Sequence, residues 1–133
     1  MASLQIMAAA SQSYPFETMG ELLGEDRADL AMITAVQVHR LDEATRCKTF
    51  LSTERDERVK DFLEDYIIGG FHSHPDEYPT ASQLDKDDFL ENYPDGVMVI
   101  CGIWPSKRAP WAFRWKAYAA KSGRVRRIKL SWE

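Results

Sequence analysis

The chain has 133 residues, 44% of them apolar, and a formal net charge of −4. That size and composition suit a single domain over residues 1–133 with a sizeable core, and the acidic balance argues against a protein whose main role is to coat nucleic acid. No run reaches the roughly 20 apolar residues of a membrane span, the first residues carry no basic n-region, and Cys47 and Cys101 are too few for a disulfide framework, so we expect a cytoplasmic protein with buried free thiols and no membrane or nucleic-acid partner.

Leu4 to Ala10 has apolar residues at helical spacing and stops before Tyr14-Pro15, which predicts a short helix. Glu17 to Leu23 reads as a strand, Gly24 with Glu25 and Asp26 as a turn, and Leu30 to Val38 as a second strand on the strength of its β-branched Ile33, Thr34, Val36 and Val38. Cys47 to Leu51 suits a third strand. Thr53 then opens a charged helix over Glu54 to Asp65 with Val59, Phe62 and Leu63 as its apolar stripe. Tyr66 to Phe71, broken by Gly69-Gly70, suits a buried strand that approaches another backbone or a ligand closely. Ser82 opens another helix ending near Tyr93-Pro94, and Val97 to Ile103, Trp111 to Ala119 and Arg124 to Leu130 read as closing strands. The fold class is therefore α/β or α+β, with a mixed, mainly antiparallel sheet flanked by about three helices.

The segment Gly70-Phe71-His72-Ser73-His74-Pro75 followed by Ala81-Ser82-Gln83-Leu84-Asp85 carries the chemistry. Side chains two apart on a strand share a face, so His72 and His74 can aim their imidazoles at one point, and Pro75 keeps His74 extended. Asp85, one turn into the next helix, can add a carboxylate. Two imidazoles and a carboxylate leave a tetrahedral zinc ion one position short for water, the mark of a catalytic rather than a structural site. A bare H-x-H is usually a strand pair without metal and Ser-x-x-Asp is usually a helix cap; the combination is what points to a metal. Glu17 is the candidate proton carrier, and Glu21, on the same face of a regular strand, is its rival.

These residues resemble a known family. His72-Ser73-His74-Pro75, Ser82-Gln83-Leu84-Asp85 and Glu17-Thr18-Met19-Gly20 are similar to the JAMM (MPN-plus) metalloproteases, and the order of elements resembles their cytidine-deaminase-like MPN architecture over most of the chain. The resemblance implies one catalytic zinc ion on His72, His74 and Asp85, with Glu17 as general base and then acid, and Ser82 as the donor that polarises the scissile carbonyl. It also implies a substrate: the C-terminal glycine tail of a ubiquitin-like or sulfur-carrier protein, cleaved from a conjugate or a precursor. Short as it is, the chain has no room for the insertions of the larger eukaryotic members, and it looks more like the compact prokaryotic ones. The alternatives are a metal-binding MPN scaffold with absent or partner-dependent activity, and a metal hydrolase acting on phosphodiesters.

Other features carry milder expectations. His39 reads as a strand-end surface residue, and Asp76, Glu77, Asp87 and Asp88 as solvated carboxylates. Trp111, Phe113 and Trp115 alternate with Ala112, Arg114 and Lys116, as a strand with one buried face requires, which favours core packing over a base-stacking platform. From Trp104 onward nine basic residues, Lys107 to Lys129, face the single acid Glu133. They form either a solvated strand face or a docking surface for an acidic protein partner.

Overall fold

The alanine-rich start has high helix propensity, and Ala2–Ser13 forms helix α1, which buries Ala2, Ile6, Ala9 and Ala10 along one stripe. The helix stops where Tyr14-Pro15 follows. This is a computed structural model, and it describes residues 2–27, 30–39 and 66–132. The strand expected over Cys47 to Leu51 and the helix over Glu54 to Asp65 lie outside the described residues.

The strands are β1 (Met19–Arg27), β2 (Leu30–Val38), β3 (Ile67–Pro75), β4 (Val97–Pro105), β5 (Trp111–Lys121) and β6 (Arg124–Ile128), and helix α2 (Gln83–Asn92) joins β3 to β4. They form one six-stranded sheet in the order β2-β1-β3-β4-β5-β6. Only β3 and β4 pair in parallel; the other neighbours are antiparallel. The parallel pair is the one joined through a helix, as a crossover requires. The architecture is thus the expected mixed, mainly antiparallel α+β sheet, with two helices among the described residues rather than about three.

The two faces of the sheet are packed differently. Ile6 of α1 lies in a cluster with Leu22, Phe71, Val99, Cys101 and Ala117, against which Phe113, Trp115, Ile128, Leu130 and Trp132 also pack. On the other face Phe89 of α2 joins Met98, Ile100, Tyr118 and Ala120. β4, covered on both sides, is buried along nearly its whole length, which accounts for its unbroken apolar run. Phe113 and Trp115 take the core role expected of them, whereas Trp111 meets Tyr14 in a tilted ring contact with centroids 4.8 Å apart.

Gly69 is where two backbones meet. A Cβ there would lie 1.7 Å from the carbonyl oxygen of Val97, so only glycine lets β3 approach β4 in this register. The close approach read from Gly69-Gly70 is therefore an approach to backbone. Gly24 differs from its expected place in a turn. β1 runs through it to Arg27, with a register shift between Leu23 and Gly24 that absorbs the irregularity the glycine signals. Arg124, Arg126, Arg127 and Lys129 are exposed on or just beyond β6, at one edge of the sheet, where like charges discourage edge-to-edge pairing.

Candidate metal centre

β3 ends on the face covered by α2, and its last residues carry the two histidines. Their shared parity brings His72 Nε2 and His74 Nε2 to 3.1 Å of each other. The loop after Pro75 returns the chain so that α2 begins beside them. Asp85 Oδ2 lies 3.2 Å from His74 Nε2, and Oδ1 lies 3.4 Å from His72 Nε2. The ligand atoms of His72, His74 and Asp85 all fall within 4.8 Å of one another, a grouping that could hold a metal ion.

The surroundings orient this set. His74 Nδ1 sits 3.0 Å from the carbonyl oxygen of Tyr78, which can only accept, so Nδ1 carries the hydrogen and the neutral ring leaves the lone pair of Nε2 facing the centre. Asp85 Oδ2 accepts from the Ser82 N–H at 2.9 Å, and the Asp85 N–H donates to Ser82 Oγ at 3.0 Å, closing a capping box at the start of α2. The cap reading of Ser82-x-x-Asp85 and the ligand reading hold together, because the cap fixes the carboxylate that faces the histidines. Since Ser82 Oγ accepts in that bond, its own O–H remains able to donate. Two imidazole nitrogens and one carboxylate suit zinc and leave a coordination position open, so the residues present fit that ion on the chemistry of the donor set.

Glu17 reaches the site by extension of the sheet. Met19 pairs with His72. One residue further, the Thr18 N–H donates to the buried Ser73 Oγ at 2.9 Å, and the Ser73 N–H donates to the Thr18 carbonyl at 2.9 Å. The same register sets Glu17 level with His74. The strand itself begins at Met19, so Glu17 lies in the extended segment just before β1 rather than within it. Ser73, between the two histidines and fully buried, thus pins the backbone that presents the carboxylate, a role the sequence offered no signal for.

The electrostatics follow from this crowding. Burial raises the pKa of Glu17; the nearby His72 and His74 oppose that, and Asp85 and Glu77 reinforce it, leaving it above the ordinary value. Burial alone would raise Asp85, but hydrogen bonding with the facing imidazoles, in which His74 Nε2 donates only in the protonated ring, and from the Ser82 N–H holds it well below the usual carboxylate range. For His74, burial disfavours the charged form, yet the hydrogen bond to Asp85, the Tyr78 contact and the charges of Asp85 and Glu17 prevail and raise it.

The structure also places the rival carboxylate Glu21 and corrects the expectation for His39. Glu21 does not compete with Glu17. Its fully buried carboxylate lies 3.1 Å from His39 Nε2 through Oε1 and accepts a hydrogen bond from the Tyr93 hydroxyl through Oε2. His39 is buried, not a surface residue, because its backbone N–H continues the β1 ladder to the Met19 carbonyl and its ring turns inward to Glu21. Asp76 is exposed as expected but not loose: the Tyr14 hydroxyl donates to its carboxylate at 2.7 Å, and its φ of 58° places it in the left-handed region that Asp tolerates. A cleft of about 480 Å³ between α1 and β2, bordered by Gln5, Gln12, Thr18, Val36 and Val38, includes neither Glu17, Ser82 nor the His72-His74-Asp85 cluster.

Together the sheet and its His-His-Asp cluster define a mixed α+β domain with a metal-type site at the end of its parallel strand pair. A model of the prokaryotic homologs of the JAB domain matches residues 2–118, and the chain belongs to that family. Among solved structures, a protein of Desulfitobacterium hafniense is similar at 26% identity and a TM-score of 0.64, the match covering 96% of this chain and 85% of that one. A protein from Salinibacter ruber shares the fold at 24% identity and a TM-score of 0.63, over 95% of this chain and 84% of its own. No curated protein matches the chain.

Proposed function

We propose that the chain is a zinc-dependent isopeptidase or peptidase that hydrolyses the bond after the C-terminal glycine of a ubiquitin-like or sulfur-carrier protein. The observation that carries this reading is the convergence of His72, His74 and Asp85 on one point, with Glu17 coupled electrostatically to all three. Family membership supports it, because JAB domains include zinc metalloproteases of the JAMM type.

A bound zinc ion supplies Lewis acidity, which polarises a carbonyl and makes water more acidic. The chain's own residues do the rest. His72, His74 and Asp85 would hold the ion, with the Tyr78 carbonyl and the Ser82 cap keeping His74 and Asp85 in place. Glu17, its pKa raised, accepts a proton from the attacking water and passes it to the departing amine. Ser82 donates its hydroxyl hydrogen to the carbonyl oxygen as charge builds there. A glycine tail suits such a site because residues without side chains can lie extended against backbone in a narrow cleft.

The test is mass spectrometry after incubating zinc-loaded protein with ubiquitin-like proteins that are extended at the C-terminus or conjugated to lysine. The expected product ends in glycine and disappears with chelator and in Glu17→Ala. Metal retained with no product from a broad panel favours the MPN scaffold instead, and cleavage of nucleic acid in place of peptide favours a phosphodiesterase.

A further inference from the structure

The loop between His74 and Ser82 raises an aromatic ring into solvent from a well-anchored backbone. Tyr78 is 69% exposed. Yet its carbonyl accepts from His74 Nδ1 at 3.0 Å, and the loop around it is fastened at several points. The Asp76 N–H donates to the Ile103 carbonyl at 2.8 Å, Lys116 Nζ donates to Thr80 Oγ1 at 2.7 Å, and the Ala81 N–H donates to the Tyr118 hydroxyl at 3.1 Å. Pro79 beside it is fully buried. Behind the loop, a Cβ on Gly102 would meet the Glu77 carbonyl oxygen at 2.6 Å, Trp104 at 3.0 Å and Pro79 at 3.1 Å, so the packing leaves no slack. The Tyr78 ring meets half-buried Trp104 edge-on, with centroids 5.6 Å apart. Leu84, next to the ligand Asp85, is 68% exposed.

Single exposed apolar residues need no explanation. Here, however, one such side chain stands on the residue that orients a metal ligand and another adjoins a second ligand. We infer that Tyr78, backed by Trp104, is a specificity-determining rim that favours an apolar side chain on the leaving-amine side of the scissile bond. The inference rests on the peptidase reading. In that reading the acyl side ends in glycines, which bring no side chains to the metal, so a side chain that reaches the rim belongs to the leaving group. An aromatic ring already held in place by its neighbours loses little freedom on contact, which favours its use in recognition.

The experiment uses zinc-loaded full chain and a panel of peptides with a Gly-Gly acyl side followed by leucine, phenylalanine, serine or aspartate. It reads kcat/KM by mass spectrometry and, separately, binding by NMR titration. Leucine and phenylalanine should exceed aspartate by at least about fivefold in kcat/KM. Tyr78→Ala should flatten the preference with zinc content and Tm unchanged, and Tyr78→Phe, which keeps the ring, should restore it. Turnover without preference, or a preference that survives Tyr78→Ala, overturns the rim and leaves the peptidase reading standing. Absent turnover with apolar-selective binding that depends on Tyr78 counts against the peptidase reading and overturns the leaving-group assignment, leaving Tyr78 as an apolar contact only. Neither turnover nor selective binding overturns both.

Discussion

Ser82 and Asp85 hold each other through two reciprocal hydrogen bonds, 3.0 Å from the Asp85 N–H to Ser82 Oγ and 2.9 Å from the Ser82 N–H to Asp85 Oδ2. Ser82 thus caps α2, and in the proposed reaction it would also donate to substrate, two duties that can be separated. Ser82→Ala should cost about 1 kcal/mol of stability through the lost cap. It should lower turnover by about 10²- to 10³-fold through the lost donor. Urea denaturation and steady-state kinetics on the same preparation separate the two; a turnover loss no larger than the stability loss explains would assign Ser82 to capping alone.

Chelation and pH should interact with a definite sign. His74 has a raised pKa in the folded, metal-free chain, so its contribution to stability is complete below the unfolded value of about 6.5 and fades as pH rises through the folded value. Asp85 is depressed, so its contribution is present above about 4 and fades as pH falls toward its folded value. Zinc needs both imidazoles neutral, and its stabilisation runs the other way, growing with pH. The Tm difference between zinc-loaded and chelated protein should be larger at about pH 7.5 than at about pH 5.5. Thermal melts across that range check it, and a flat or reversed difference contradicts it.

The Glu21 cluster predicts a structural, not a metal, phenotype. Its carboxylate bridges the end of β2 at His39 and the end of α2 at Tyr93, and removing it strands the buried His39 ring and the partly buried Tyr93 hydroxyl. Glu21→Ala should destabilise the fold by on the order of 3 kcal/mol, with Glu21→Gln milder. Whatever fraction folds should retain the metal content of the wild type. Urea midpoints with metal analysis of the folded fraction test both parts.

Burial pushes the Cys101 thiol up to about 12, so little thiolate exists near neutral pH. Alkylation followed by peptide mapping should find Cys101 unmodified in native protein and modified once denaturant unfolds the chain. Rapid native labelling would mean that β4 opens far more readily than its packing allows.

The legible parts of this molecule are local in sequence. His72 and His74 share a face by strand parity, and Ser82 and Asp85 meet by helix-cap spacing, so the elements of the His72-His74-Asp85 cluster could be read before any fold was known. The helix α1, the strand β2 and the closing strands were legible for the same reason, each carrying its own periodicity. What sequence could not provide depends on partners far along the chain. His39 turns inward because Glu21 waits for it on β1, and Glu21 is held in turn by Tyr93. β1 runs past Gly24 because β2 supplies a partner on the far side of the bulge. Resemblance alone favours Glu17 over Glu21 in the sequence, whereas the contacts that distinguish them are tertiary: Ser73 secures Thr18 beside Glu17, and Glu21 is committed to His39 and Tyr93.

The most direct test of the central claim is to measure zinc stoichiometry and turnover together in wild type and Glu17→Gln. Native mass spectrometry should find one zinc ion per chain in both proteins, lost from His72→Ala and Asp85→Ala. Cleavage of a glycine-terminated acyl substrate should fall by at least about 10²-fold in Glu17→Gln. Full turnover in Glu17→Gln, or zinc retained when His72 and Asp85 are both replaced, would contradict the account.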